Sequence, residues 1–255
     1  MFIDSCYRLL RSPDRKLRLG AFLQPVQLWN RLSAIKQNYP EAWKWVLLSR
    51  QIQGWLTDGE ADQLFKLARD FTPLSHPVVV ELGSWKGKSS VMLAAGLIGK
   101  ENPELFCVDP FGCDENVEYQ QKYYATLLEN DSHSTEETFR NNMRTCGVDS
   151  IARQVKGYSF DVVRTWTRPI DVLFIDASHE YLAVQRDFET WVEFLKEGGV
   201  IAFHDANGKW PGPTRVVQEK LQPPKFGPVN AVNTLAWAVM ASKREQYKKS
   251  EGVGV

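Results

Sequence analysis

The apolar positions along the chain fall into two textures. Over 1–75 they recur at helical spacing without β-type alternation, and Trp29, Trp43, Trp45 and Trp55 are spread among them. This predicts an N-terminal helical extension of the fold, with the Trp residues serving packing. Its clearest start signal is Thr57-Asp58-Gly59-Glu60, a capping box in which Thr57 and Glu60 satisfy each other's free backbone amides. Ala61, Leu64, Phe65, Ala68 and Phe71 follow on one helical face.

From residue 76 the texture changes to short apolar runs separated by helical patterns, the signature of a parallel sheet with crossover helices. Four runs end in an acid: Val78-Val79-Val80 at Glu81, Leu105-Phe106-Cys107-Val108 at Asp109, Val172-Leu173-Phe174-Ile175 at Asp176, and Val200-Ile201-Ala202-Phe203 at Asp205 through His204. The acids are 28, 67 and 29 residues apart. One βαβ unit takes about 30 residues, so the middle gap holds an extra unit, whose strand is expected over 151–156. Acids at the carboxyl ends of parallel strands face one edge of the sheet, where open α/β folds bind ligands.

A helix is expected over 181–195, with Tyr181, Val184, Phe188, Trp191, Val192 and Leu195 on its sheet-facing side and Gly198-Gly199 as its stop. Between Phe111 and His133 lies a polar insert with Tyr119, Tyr123 and Tyr124, long enough for a lid or substrate loop. After Trp210, four prolines precede strand-like runs at 226–229 and 231–240, and a fifth, Pro228, lies in the first run; the two runs are read as a closing hairpin. The polar stretch 242–255 is expected to be a disordered tail. The domain reading is therefore 1–75 extension, 76–241 α/β domain and 242–255 tail.

Composition narrows the function classes. The chain has 255 residues, 43% hydrophobic and 24% charged, ample for a folded core. Lys plus Arg and Asp plus Glu number 31 each, so the one-signed field that nucleic acid needs is missing. The basic start, Arg8, Arg11, Arg15, Lys16 and Arg18 against Asp4 and Asp14, reads as a solvated helix face. Cys6, Cys107, Cys113 and Cys146 form no CxxC pair and read as reduced thiols, with Cys107 a core residue. No run approaches a membrane span and the start lacks a signal-type core, so a cytoplasmic address is expected.

The loop ELGSWKGKSS over 81–90 joins an apolar strand to a helical run starting near Ser89. A phosphate-cradling loop needs four residues between its glycines, and here Gly83 and Gly87 enclose three. A dinucleotide loop needs a second glycine where Trp85 stands. The third pattern, E-x-G-x-x-x-G-x-S with an acid after the next strand, resembles the cofactor loop of class I S-adenosylmethionine-dependent methyltransferases. Residues 78–205 resemble the branch with catechol and caffeoyl-CoA O-methyltransferases, and most of all small bacterial proteins similar to macrocin and other natural-product sugar O-methyltransferases. The strings that carry this are VVVELGSWKGKSS, LFCVDPFG, VKGYS, IDVLFIDASHEY and GGVIAFHD, weak singly and specific in their order and spacing.

The resemblance implies a Rossmann-like, mostly parallel seven-stranded sheet with helices on both faces and an antiparallel last strand. It implies S-adenosylmethionine held by Glu81, Gly83, Ser84, Trp85, Gly87, Ser89, Asp109, Gly157, Tyr158, Ser159 and Asp176: the methionyl part along Gly83 and Gly87, its carboxylate at Ser89, the ribose on Asp109, and the adenine wrapped by Gly157-Tyr158-Ser159. The family's base, three residues past the acid of the fourth strand, falls on His179, with Asp176 beside it. An imidazole suits deprotonation of a hydroxyl at neutral pH. Metal-dependent members hold Mg2+ through positions matching Asp176, Asp205 and the residue after it. That residue is Ala206 instead of the usual Asn, and metal dependence stays open. The function implied is O-methylation of a hydroxyl on a small molecule, such as a sugar or glycosylated metabolite. Two alternatives stand beside it: a nucleotide hydrolase using Gly83 to Ser89 with Phe174-Ile175-Asp176, and a non-catalytic module on the same fold. The expected partner is the small-molecule acceptor, with homo-oligomer pairing through the Trp-bearing extension as a further option.

Overall fold

The computed structural model describes residue 30 and residues 32–112 and 134–242. The basic start, Trp29, Cys6, Cys113, the three tyrosines of the insert and the tail beyond Ser242 lie outside the described residues. Residues 32–38 are helical, and the helices that follow are α1 (Trp43–Ser49), α2 (Asp58–Asp70), α3 (Lys88–Leu97), α4 (Thr135–Cys146), α5 (Ser159–Val162), α6 (Tyr181–Trp191) and α7 (Pro211–Lys220). The strands are β1 (Val78–Leu82), β2 (Glu104–Asp109), β3 (Ala152–Lys156), β4 (Ile170–Ile175), β5 (Leu195–Phe203), β6 (Asn230–Val232) and β7 (Leu235–Val239).

The strands form one seven-stranded sheet in the order β3-β2-β1-β4-β5-β7-β6. β1 to β5 pair in parallel, and β7 runs antiparallel to both β5 and β6. β1 and β4 are buried along their whole length, as inner strands covered on both faces must be. Alternate residues divide between two cores: Val79, Val172, Phe174, Val200 and Ala202 face one way, and Val80, Leu82, Leu173, Ile175, Ile201 and Phe203 the other. The strand order reverses between β1 and β4, which marks the carboxyl edge there as the place where such sheets take ligands.

α3 is buried at every residue from Ser89 to Leu97, because it lies between the sheet and α2. α2 begins with the capping box: Glu60 N donates to Thr57 Oγ1 at 3.4 Å, and Thr57 N to Glu60 Oε2 at 2.8 Å. Ala61, Leu64, Phe65 and Ala68 are buried in the same core as α3, while Phe71, at the C-cap of α2, is exposed. No helix among the described residues is long and apolar enough to cross a membrane.

Two boundaries differ from the sequence reading. The helix expected over 181–195 ends at Trp191; a short 3-10 turn follows, and Gly198-Gly199 lie inside β5. Leu195 pairs with Ile170 and Gly198 N donates to Met240 O at 2.9 Å, so the strand ladder captures this segment before the glycines are reached. In the closing hairpin the first strand starts at Asn230. Pro228 has no amide to give a ladder, and Phe226 makes only an isolated bridge to Met240.

Candidate active site at the carboxyl edge of the sheet

The loop between β1 and α3 is shaped by close approaches within the chain. Gly83 has φ 89°, and a Cβ there would lie 2.4 Å from the Asp176 carbonyl oxygen. Gly87 has φ 86°, and its Cβ would meet Met143 Cε at 2.4 Å. The glycines thus let the loop lie against the end of β4 on one side and α4 on the other. Gly83 N donates to Val108 O at 2.9 Å and Asp176 N to Leu82 O at 2.8 Å, tying the ends of β1, β2 and β4 together.

Trp85 takes a left-handed backbone (φ 43°) and stacks on Trp55, ring centroids 5.2 Å apart. Lys86 is buried, with Nζ donating to Gln53 Oε1 at 2.7 Å, so the segment before α2 clamps this loop. Ser84 and Ser89 are buried at the loop's two ends. Glu81 does not reach the rim: it is fully buried, accepts from Ser90 Oγ, and its Oε1 has no hydrogen-bond partner. Burial pushes the Glu81 carboxyl up to about 7, with Ser89, Ser90 and Ser84 pulling the other way.

Asp109 ends β2 with its carboxylate fixed from the backbone. Oδ2 accepts Trp85 N at 2.9 Å and Oδ1 accepts Phe111 N at 2.7 Å. Burial raises its pKa and the two amides lower it, with burial prevailing. Each oxygen keeps a second lone pair. Gly157 N donates to Asp109 O at 3.0 Å, which seats the β3 turn beside it. Tyr158 stacks on Phe160 with centroids 5.2 Å apart. Ser159 turns its hydroxyl onto Asp187 Oδ1 of α6 at 2.5 Å.

The ends of β4 and β5 bring four titratable groups together. His179 Nε2 pairs with Asp205 Oδ2 at 2.9 Å, and its ring lies flat on Trp210 with centroids 4.3 Å apart and planes 13° from parallel. His179 is not a helix cap, since Glu180 holds that position in front of α6. Asp205 has φ 55°, a left-handed conformation uncommon outside Gly, Asn and Asp. His204 is buried, with Nδ1 3.3 Å from Asp176 Oδ1 and 3.5 Å from Asp205 Oδ2. Its Nε2 lies 3.6 Å from Glu60 Oε2, beyond hydrogen-bond reach.

Glu60 and Trp210 were the partners that sequence did not supply for these histidines. The capping box flagged Glu60 only as a helix-start residue; its second oxygen accepts Thr234 N at 2.8 Å and Thr234 Oγ1 at 2.6 Å, a contact across 174 residues. Although desolvation opposes it, His204, Thr234 and Thr57 bring the Glu60 carboxyl down to about 2. Burial disfavours a charged His204, but Asp176, Asp205 and Glu60 outweigh that and carry it up to about 12. Asp205 is held well below the usual carboxylate range by His179 and His204, against its own desolvation.

Asp176, His179 and Asp205 offer ligand atoms within 4.8 Å of one another, a possible cation set among the described residues. As arranged, this set does not fit the family's magnesium pattern. Ala206 gives no side-chain donor at the third position, its amide goes to Thr234 O, and both carboxylates already face imidazole nitrogens. Magnesium takes octahedral oxygen donors and keeps several of them as waters, and here imidazole nitrogens stand where such waters would have to sit beside both carboxylates.

The chain is similar to known proteins in sequence and in fold. An uncharacterized protein of Acanthamoeba polyphaga mimivirus is 27% identical over 177 residues, 66% of this chain and 63% of its own length. The chain thus spans less than two thirds of that relative. Among solved structures, cofactor-bound Rv0187 from MTB superposes with a TM-score of 0.57 at 16% identity, over 91% of this chain and 100% of that one. The O-methyltransferase from Bacillus cereus in complex with SAH gives 0.53 at 15% identity, over 82% and 90%. At these identities the structures speak to the fold. A family model described as a methyltransferase domain matches residues 80–206, the segment that carries every strand-end acid above, and through it this segment belongs to the methyltransferase-domain family on the class I fold.

Proposed function

We propose that the protein transfers a methyl group from S-adenosylmethionine to a hydroxyl oxygen of a small molecule, with a sugar or glycosylated metabolite as the favoured acceptor class. The observation that carries this reading is the His179–Asp205 pair, 2.9 Å apart at the same sheet edge as the Asp109 carboxylate and the Gly83–Gly87 loop.

When bound, S-adenosylmethionine supplies an electrophilic methyl on a sulfonium. The residues present suit it: Asp109, anchored by two amides, keeps lone pairs for both ribose hydroxyls, and the ten-residue α3 turns its first free amides toward the loop where a methionyl carboxylate would sit. Gly157 and Tyr158 lie where the adenine would pack, and Ser84, Trp85 and Ser89 line the methionyl side. Glu81 supports this loop from below through Ser90.

In-line displacement needs alignment and removal of one proton. With Nε2 engaged by Asp205, His179 keeps Nδ1 to accept the acceptor's hydroxyl proton, and stacking on Trp210 fixes the plane of the ring. Asp205 stabilises the imidazolium that forms. Asp176, at the end of β4 and partly exposed, faces the same opening and suits orientation of the acceptor hydroxyl.

The reading is tested by incubating the protein with methyl-labelled S-adenosylmethionine and a panel of phenols, catechols, free sugars and glycosides. Label is expected in an oxygen-linked methyl, with one S-adenosylhomocysteine released per transfer. Label on nitrogen or carbon, or none above a His179→Ala control, rejects O-methylation.

A further inference from the structure

Three carboxylates from three separate elements converge on one buried ring. Asp176 closes β4, Asp205 follows β5, and Glu60 comes from α2, and each has an oxygen within 3.6 Å of a His204 nitrogen. Nδ1 reaches the first two and Nε2 faces the third. Glu60 is locked by Thr57 N and Oγ1 on one oxygen and by Thr234 N and Oγ1 on the other. That fixed carboxylate faces the far side of the ring across 3.6 Å, as an electrostatic neighbour without a hydrogen bond to it.

The two carboxylates that His204 joins through Nδ1 are the ones that a bridging cation would join, and the position that should add a third donor is Ala206, whose only polar groups are backbone and whose amide is spent on Thr234 O at 2.8 Å. Ala206 offers no third side-chain donor, and the His204 imidazole stands against both carboxylates instead. We propose that the His204 side chain, backed by Glu60, replaces the divalent ion as the bridge between Asp176 and Asp205, so that this site takes no metal. Glu60 and His204 are then positioning residues: they fix Asp205, which in turn orients His179. The proposal uses the methyltransferase reading only to say where an ion would otherwise sit.

Chelator-treated protein titrated with Mn2+ and followed by electron paramagnetic resonance tests it, with S-adenosylhomocysteine calorimetry run on each sample. Wild type is expected to bind no Mn2+ at millimolar concentration. His204→Asn, and His204→Gln as its companion, are expected to bind Mn2+ at least about tenfold more tightly than wild type, and Asp176→Asn in the same chain should remove that gain. Stoichiometric Mn2+ binding by wild type that disappears in Asp176→Asn or His179→Ala overturns the proposal, since the ion would then sit on Asp176, His179 and Asp205 beside an idle His204. Folded His204 variants that bind Mn2+ no better than wild type overturn it as well. Failure of wild type to bind S-adenosylhomocysteine would instead strike the methyltransferase reading, and leaves the Mn2+ result to judge the bridge.

Discussion

His179 Nε2 meets Asp205 Oδ2 at 2.9 Å although the two residues stand 26 positions apart, on different strand-end loops. In the proposed mechanism this pair leaves Nδ1 of His179 to take the acceptor's proton. With an acceptor from the labelled screen, His179→Ala should lower kcat by about a hundredfold or more, with S-adenosylhomocysteine affinity nearly unchanged. Steady-state kinetics beside calorimetry separates the two quantities, and full turnover in the variant would remove His179 as the base.

Glu81 predicts a pH dependence of stability. Its carboxyl has an ordinary value of 4.5 and is raised by burial to about 7 in the folded chain. The folded state therefore keeps a proton that the unfolded state releases, and this group's contribution falls as pH rises from about 4.5 to about 7, then levels off. The span corresponds to about 3 kcal/mol. Urea unfolding of Glu81→Gln across this window should give a flatter stability profile than wild type; parallel profiles would mean that Glu81 titrates alike in both states.

Gly83→Ala would press a methyl group against the Asp176 carbonyl and force an L residue to φ 89°. Strain of this kind costs about 1–3 kcal/mol, and relief by moving the loop would shift Trp85 N away from Asp109. Chemical denaturation should show the lost stability, and calorimetry should show weaker S-adenosylhomocysteine binding. A variant as stable and as tight as wild type would show that the close packing of the two loops is dispensable.

Much of this edge was legible from residue order alone. The acids at 109, 176 and 205 end or follow strands, whereas Glu81 lies inside β1, which runs on to Leu82; the strand expected over 151–156 is β3. Local chemistry also announced the capping box at Thr57 and Glu60. Side-chain direction was not legible. Glu81 reads like its three counterparts yet points into the core, and Ser159 spends its hydroxyl on Asp187. Nor could spacing show that Glu60 backs His204, because that contact depends on how α2 docks on the sheet. The end of α6 was misplaced for a related reason: pairing of Leu195 with Ile170 outweighs a helical pattern that locally runs on.

The central claim is that an S-adenosyl nucleoside docks along this rim with its ribose on Asp109. Calorimetric titration of S-adenosylhomocysteine into wild type and Asp109→Ala, with ATP as a parallel ligand, tests it most directly. Saturable binding to wild type, weakened by about 1.5–3 kcal/mol in the variant, with no heat from ATP, is the predicted result. Tight ATP binding without S-adenosylhomocysteine binding, or equal S-adenosylhomocysteine affinity in both proteins, would contradict it.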